Sequence, residues 1–480
     1  MKTSLDRALA LASPRIVPPP TPFISVAIHL GVMVLWVVLF AQAFFLKGVV
    51  AWSTGIAYVV YDTLLLIFVA WQTLTLIRPP AAGLADGKLP TLGVLIASHN
   101  EASVLPITLQ ALLTQTRMPE QMVIADDGST DDTATLLTGR FGLLDPGLGH
   151  LSAPSTLYPN LRWLRVPHGG KARALNAAIQ QLQTETVMTV DADTLLEPDA
   201  VLAMCRAFGQ QPALVAAAGL LTPVCSRTVS GRFFQWFQTY EYVRNFISRF
   251  AWARANSLLL ISGAFACFRR EALLTVGGFD PHCLVEDYEL IHRLRRYSVI
   301  HGLGWDVRVI GSAHARTDAP STLPTFLRQR RRWFAGFLQT QYWYRDMTGN
   351  RRYGALGMAM LPVKAFDTVQ PIYGLTAFVL LLWFLVTGHF HVFLPALGVI
   401  VGKIIIDLAF HLWSIYLYRR WSGDDKSTSF VMALLAAIFE PFTFQLLRHS
   451  GAALGWVYFL LRRQSWGAQS RHGLGTIDPN

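Results

Sequence analysis

The chain has 480 residues, 52% of them hydrophobic and only 15% charged, with a net charge of +11 and a mean hydropathy of +0.36. Soluble domains carry about 25% charged residues, so a disordered, collagen-like or wholly water-soluble chain is excluded. Four cysteines (Cys205, Cys225, Cys267 and Cys283) without CxxC or Cys/His ligand spacing exclude a disulfide framework and predict reduced cytosolic thiols. The positive balance suits phosphate-bearing or anionic lipid partners.

In chain order, residues 1–22 read as a cytosolic N-terminus containing Lys2, Arg7 and Arg15. Residues 23–77 predict two transmembrane helices. The uncharged run Phe23 to Phe45 exceeds the roughly 20 residues that span a hydrocarbon core, and Ser53 to Ile77 is broken only by Asp62 and Gln72. The first run is too long for a signal-peptide core and has no small-residue cleavage site after it. The basic flanks Arg15 and Arg78 place both ends in the cytosol. Composition turns soluble over 78–320, followed by an amphipathic interface segment at 321–362. Apolar runs return in 363–461, at 366–386, 393–418 and 430–461. The last contains Glu440, Pro441, Arg448 and Gly451 and is expected to form one crossing plus a short re-entrant or interfacial helix. Residues 462–480 form a basic tail.

Within the soluble region, Thr91 to Ser98, Gln121 to Ala125 and Val187 to Val190 are short, wholly apolar runs, as in buried parallel strands. Helical stretches near 102–114, 131–137 and 172–179 alternate with them, which predicts a doubly wound α/β sheet. Ligands of such sheets bind beyond the carboxyl ends of the strands, where Asp126-Asp127 and Asp191-Ala192-Asp193 fall. Two carboxylates one residue apart suit a hard divalent cation that keeps water and substrate phosphates. Glycines and a lysine in His168-Gly169-Gly170-Lys171 open a helix and suit an anion. Glu286-Asp287 opens another helix, where acids either complement the dipole or accept a proton from a hydroxyl. Gln329, Arg332 and Trp333 project together at i, i+3 and i+4, within a helix whose aromatic and cationic faces also suit the membrane interface.

Seven segments occur in one order: SHNE (98–101), DDGSTD (126–131), GGKARALN (169–176), DAD (191–193), ISGAFACFRREAL with GGFD (261–280), ED (286–287) and QRRRW (329–333). Together they resemble the family 2 glycosyltransferases, specifically the membrane-embedded processive branch that includes cellulose, hyaluronan, chitin-oligosaccharide and poly-N-acetylglucosamine synthases. The resemblance implies a GT-A (Rossmann-like) domain inserted between transmembrane helices. It also implies a UDP-sugar donor, with UDP-glucose or UDP-N-acetylglucosamine foremost, and a Mg²⁺ or Mn²⁺ cofactor. By that match Asp126 and Asp127 contact the uridine, with the division between them left open. Asp191 and Asp193 hold the metal and diphosphate beside Lys171, and Asp287, with Glu286, supplies the base. Gln329 and Arg332 position donor phosphates, while Trp333, Ser262 and Gly263 face the acceptor. Val285 stands where the family usually has threonine, and no appended cyclic-dinucleotide domain is recognisable.

These assignments imply inverting extension of a β-linked glycan, with translocation through the membrane and a bacterial inner-membrane location. The implied partners are the donor, the growing glycan and the bilayer, with an accessory export subunit left open. A single transfer to a lipid-linked acceptor and a catalytically inactive scaffold are the competing readings. Nucleic acid is not expected, because the basic residues flank membrane segments. Lys403, Asp407 and His411 share one stripe of a membrane helix, where a buried ion pair is favoured over a glycan-lining role. Asp367 and Glu440 raise the same alternative. His389 and His391 are expected to be loop residues rather than metal ligands.

Overall fold

The computed structural model describes residues 3–78, 88–424 and 428–463. The basic tail, apart from its first two residues, therefore lies outside the described residues. Eight strands form one sheet: β1 (Leu92–Ser98), β2 (Gln121–Asp127), β3 (Leu161–Val166), β4 (Thr186–Asp191), β5 (Thr194–Leu196), β6 (Leu214–Val224), β7 (Phe265–Arg269) and β8 (Asp306–Asp318). Their order is β3-β2-β1-β4-β7-β6-β8-β5. The half from β3 to β4 is parallel. β7 runs antiparallel to both of its neighbours, which makes the whole sheet mixed. Near-continuous burial along β1, β2 and β4 follows from helices covering both faces of a parallel sheet. The GT-A-type α/β architecture is therefore present. Sequence periodicity finds β1, β2 and β4 but misses β3 and β5–β8, whose runs are short or pair at the irregular half of the sheet.

Among the described residues, four helical segments are long and apolar enough to cross a membrane: Phe23–Phe45, Gly48–Ile77, Leu356–Val386 and Phe390–Ser422. Phe430–Phe442 and Phe444–Leu460 form a further pair, bent by 50° beside Pro441. The segment expected as one crossing plus a short helix is this broken pair. The third long helix begins at Leu356, ahead of the apolar run that marks it in sequence. That start lies within the stretch read as interfacial, where Leu356, Met360 and Leu361 share one hydrophobic core with Tyr288 and Tyr344.

Two helices join the soluble domain to the apolar body. Val229–Arg254 packs along Gly48–Ile77, with Phe68 and Trp252 ring centroids 4.5 Å apart, and against the broken pair through stacked Phe237 and Phe444 at 5.2 Å. Leu323–Trp343, the helix bearing QRRRW, lies on Phe444–Leu460. Gly451 and Gly455 sit four apart at this contact, and a Cβ on them would meet the Cβ of Arg330 and of Phe334 at 2.6 Å each. Small residues at that spacing let two backbones approach closely. Gly455→Leu is expected to force the helices apart at a cost of about 1–3 kcal/mol. It should lower the thermal unfolding midpoint in detergent, whereas Gly398→Leu, with nothing within 4 Å of the added carbon, should leave it unchanged.

Candidate active site

Strand register gathers the acidic residues. Ala97 of β1 is opposite Ala125 of β2 on one side and Asp191 of β4 on the other, and Ser98 is opposite Asp126. Three parallel strands thus end level, and their carboxylates share one edge. Beyond that edge lies a cleft of about 900 Å³. Asp127, Lys171, Asp191, Asp193, Ser262, Glu286, Asp287, Gln329, Arg332 and Trp333 all line it. Residues from six sequence-distant motifs therefore converge, although no two of the motifs are adjacent in the chain.

Asp126 and Asp127 separate by the alternation of a strand. Asp126 is buried away from the cleft, accepting hydrogen bonds from Ser129 N at 2.8 Å and Trp163 Nε1 at 3.3 Å. Asp127 faces the cleft and accepts from the backbone N–H of Gly169 at 2.8 Å and Gly170 at 2.9 Å. Gly170 has φ +95°, a conformation that favours glycine. His99 and His168 stack at 4.3 Å beside Asp127. One ligand atom from each of these three side chains lies within 4.8 Å of the others. The two histidines sit inside quoted motifs, yet sequence reasoning gave them no role.

Lys171 is the electrostatic centre. Its Nζ lies 2.5 Å from Asp191 Oδ1 and 3.7 Å from Glu286 Oε1. Burial would lower its pKa, but the fields of Asp191, Glu286 and Asp287 outweigh burial and raise it. Burial pushes the Glu286 carboxyl above the usual carboxylate range and Asp287 adds to the rise, while Lys171 opposes both. Asp287 accepts from Gly263 N at 2.7 Å through Oδ2 and from Tyr288 N at 2.8 Å through Oδ1. A Cβ at Gly263 would come within 3.0 Å of Asp287 Cβ, so the Ser262-Gly263 turn is fitted to this carboxylate.

Asp191 and Asp193 are hard oxygen donors at the mouth of a wet cleft. Asp191 already pairs with a cation, the Lys171 ammonium. That donor set fits a divalent ion that retains water and phosphate ligands. On the facing helix, Arg332 Nη1 donates to Leu284 O at 3.3 Å, and Arg330 lies 4.6 Å from the Trp333 ring centroid. Arg330 itself is buried on Glu241 at 2.6 Å. Tyr242, Asn245 and Arg249 also line the cleft from Val229–Arg254, and burial lowers the Arg249 pKa to about 10. Their i, i+3, i+7 spacing was the signal that sequence reasoning passed over.

The membrane-level charges form a second constellation. Lys403 Nζ pairs with Asp62 at 2.7 Å and with Asp407 of its own helix. Glu440 pairs with Arg244 at 2.6 Å, and His411 Nε2 is 3.6 Å from it. All six line a cavity of about 250 Å³. Asp367 instead pairs with Lys364 at 2.6 Å and accepts from Tyr61. His389 and His391 sit together at the start of Phe390–Ser422, and His389 Nδ1 is within 2.6 Å of Thr387 Oγ1.

Comparison with known proteins agrees with this geometry. Residues 93–277 match the family described as "Glycosyl transferase family 2", and residues 186–401 match "Glycosyl transferase family group 2". A poly-beta-1,6-N-acetyl-D-glucosamine synthase of Staphylococcus epidermidis is 29% identical over 247 residues, covering 51% of this chain and 54% of that protein. One of Staphylococcus aureus is 28% identical over 251 residues, covering 52% and 55%. The chain spans about half the length of the curated relatives it matches. A solved mannosyltransferase from Pyrobaculum calidifontis, in complex with GDP-Man and Mn2+, shares the fold with a TM-score of 0.52. It is 19% identical and covers 82% of this chain and 99% of that one.

Removing Lys171 tests the electrostatics of the site. Because Lys171 opposes the raised Glu286 pKa, Lys171→Met should raise it further. The acid limb of the residual turnover should then move to higher pH than in the unsubstituted protein. A limb that stays in place or moves to lower pH would show that Glu286 does not titrate under the influence of Lys171.

Proposed function

From the premise that the chain belongs to glycosyl transferase family 2 and is a hexosyltransferase, we propose that it is a membrane-embedded, inverting and processive polysaccharide synthase. The proposed donor is a UDP-sugar, with UDP-N-acetylglucosamine ahead of UDP-glucose because the matched staphylococcal relatives carry N-acetylglucosamine in their names. The soluble domain would face the cytosol of a bacterial cell, with the long apolar helices in its inner membrane.

Each step follows from a side chain's position. Asp127, fixed by the Gly169 and Gly170 amides, presents a carboxylate edge to the uridine. The phosphates face Lys171, Arg332 and Gln329 across the cleft. Asp191 and Asp193 would hold a Mg²⁺ or Mn²⁺ ion, whose charge would neutralise that developing on the diphosphate. Asp287 keeps free lone pairs on both oxygens after accepting its two backbone N–H groups, so it can take the proton of an acceptor hydroxyl. That oxygen bonds to the anomeric carbon as the carbon–diphosphate bond breaks. The nucleoside diphosphate leaves with the bonding electron pair, and the configuration inverts. Trp333, stiffened by Arg330, and the Ser262-Gly263 turn bound the acceptor side.

The observation that carries the polymer reading over a single transfer is Asn245. It lines both the catalytic cleft and the largely apolar, charge-bearing cavity between the long helices. Arg244, one residue earlier on the same helix, lines the cavity, and Arg249, further along, lines the cleft. A glycan lengthened beside Trp333 would have an exit at hand, bordered by Tyr58, Trp52 and Gln445, where aromatic faces and hydrogen-bonding groups suit a neutral sugar.

The test is nucleotide release by the detergent- or nanodisc-held protein, supplied with individual UDP-sugars and Mg²⁺ or Mn²⁺, with the products sized. One sugar should support release and yield a long polymer. Asp287→Asn should cut the rate by roughly 10²–10⁴-fold. A lipid product bearing one sugar would establish the single-transfer reading instead. Absence of release with every donor would favour the inactive scaffold.

Asp126 and Asp127 should divide by phenotype. Asp127→Asn, which keeps an acceptor oxygen for the Gly169-Gly170 turn, should weaken UDP binding in calorimetry with the thermal midpoint little changed. Asp126→Ala strips buried Ser129 and Trp163 donors of their acceptor and should lower that midpoint, at a cost of about 1–3 kcal/mol.

A further inference from the structure

The N-terminal segment ahead of the first membrane helix is built into the soluble domain. Helix Ser4–Ala12 opens with a reciprocal Thr3–Asp6 capping box and buries Leu5, Leu9 and Ala12. It lies directly on Gly277, whose added Cβ would meet Leu9 N at 2.2 Å. Gly277 has φ +87° and Gly278 φ +68°, so the GGFD turn is left-handed and side-chain-free where the helix crosses it.

Just beyond that turn, Asp280 is fully buried. Arg15 grips its carboxylate in bidentate fashion, Nε to Oδ2 at 2.7 Å and Nη2 to Oδ1 at 3.0 Å. Neighbouring Arg293 is already held by Glu289 at 2.7 Å and by the carbonyls of Val276 and Gly278. Arg15 thus supplies the direct counter-ion for a carboxylate that burial makes costly to leave alone. Its guanidinium also lies 5.6 Å from the Trp343 ring centroid, and Arg345 Nε donates to Thr21 Oγ1 at 2.7 Å. Both contacts tie the segment to the end of the QRRRW helix.

Asp280 organises the chain that leads into the proposed base. Its Oδ1 accepts from His282 N at 3.0 Å and its backbone oxygen from Cys283 N at 3.2 Å. Gln339 then holds both sides of the following residues, accepting from Leu284 N at 3.1 Å and donating to His282 O at 3.1 Å. Arg332, which lines the cleft, bonds Leu284 O, and Glu286-Asp287 follows at once.

We propose that Arg15 is a positioning residue for the transfer reaction. Through its bidentate pair with Asp280, the N-terminal segment sets the 277–287 loop that carries Glu286 and Asp287 and meets Arg332. This rests on reading that carboxylate pair as the catalytic one. Arg15 bonds no group of β2 or of the Gly169-Gly170 turn on the nucleotide side of the cleft; that side meets the loop through Asn176, which bonds both the N–H and the carbonyl of Phe279.

The experiment compares Arg15→Ala and Arg15→Lys with Arg7→Ala, an exposed control on the preceding helix Ser4–Ala12, in full-length protein held in nanodiscs. Three readouts are taken: UDP affinity, turnover per UDP-binding site, and hydrogen exchange of the 277–287 peptides. Arg15→Ala should keep UDP affinity within about twofold and lower turnover per site by roughly tenfold or more, the scale of a small misplacement. Exchange should accelerate in 277–287. Arg15→Lys should recover part of the turnover, because one ammonium replaces one arm of the fork, and Arg7→Ala should match the parent protein.

Unchanged turnover per site, or unchanged exchange in 277–287, would overturn the proposal. So would a loss confined to the amount of folded protein. Should the parent protein release no nucleotide from any donor, the catalytic reading fails by itself, and hydrogen exchange still decides whether Arg15 sets the loop. If Arg15→Ala does not accumulate, Asp280→Asn carries the same test, since it removes the pair while keeping the shape.

Discussion

The structure depends first on a backbone constraint: three parallel strands hydrogen-bonded so that they end level. The pairing of Ala97 with Ala125 and with Asp191 brings the carboxyl ends of β1, β2 and β4 to one edge. A shift of one residue in either pairing would turn alternate side chains to the other face. It would exchange buried Asp126 for cleft-facing Asp127. Concentrating carboxylates at one edge creates a field that the molecule must answer with cations. Lys171 answers it from the start of a helix, Arg332 from across the cleft and Arg249 from below. The site is therefore a balance of opposed charges, into which a phosphate-bearing donor and a divalent ion fit as a further matched pair.

A second constraint couples this wet cleft to an apolar body. The QRRRW helix has to present Gln329, Arg332 and Trp333 to the cleft while its other side packs on a membrane helix. Arginine makes both contacts from one run. Arg330 turns inward to Glu241, and Arg331 lies 4.7 Å over Tyr458. Gly451 and Gly455 bring the partner helix close enough to fix the rotation. The geometry of the cleft and the packing of the apolar helices are thus set by the same contact, and a change at a small residue far from the cleft can reach Trp333.

How much of this was legible in the sequence depends on how local each signal is. β1, β2 and β4 are continuous apolar runs, and their acidic ends could be read directly. β6 and β8 could not, because their positions follow from long-range pairing around the antiparallel β7. Asp126 and Asp127 looked equivalent as a pair, and only the alternation of side chains along β2 tells them apart. Motif order brought the donor-side residues together on paper, but Tyr242, Asn245 and Arg249 belong to a helix with no motif of its own. The N-terminal segment was read as a cytosolic N-terminus with Arg15 as a basic flank of the first apolar run, since nothing beside Arg15 in the sequence points to the buried Asp280 that it meets.

The charges among the membrane helices follow the rule that governs the cleft, under a harsher solvent. Withdrawing an ion from water costs several kcal/mol unless a partner and hydrogen bonds compensate. Here Lys403 stands between Asp62 and Asp407, while Glu440 stands between Arg244, Arg448 and His411. Three formal cations therefore meet three formal anions around one cavity, histidine counted as neutral. Such a lining presents many dipoles and little net charge. It would hold neither a free phosphate nor a free metal ion strongly, since either would unbalance it. A neutral, hydroxyl-rich chain meets no such penalty: it can exchange its water for these groups one at a time and leave again. The same pairs that make the charges tolerable in the apolar body thus leave the cavity poorly suited to storing an ion.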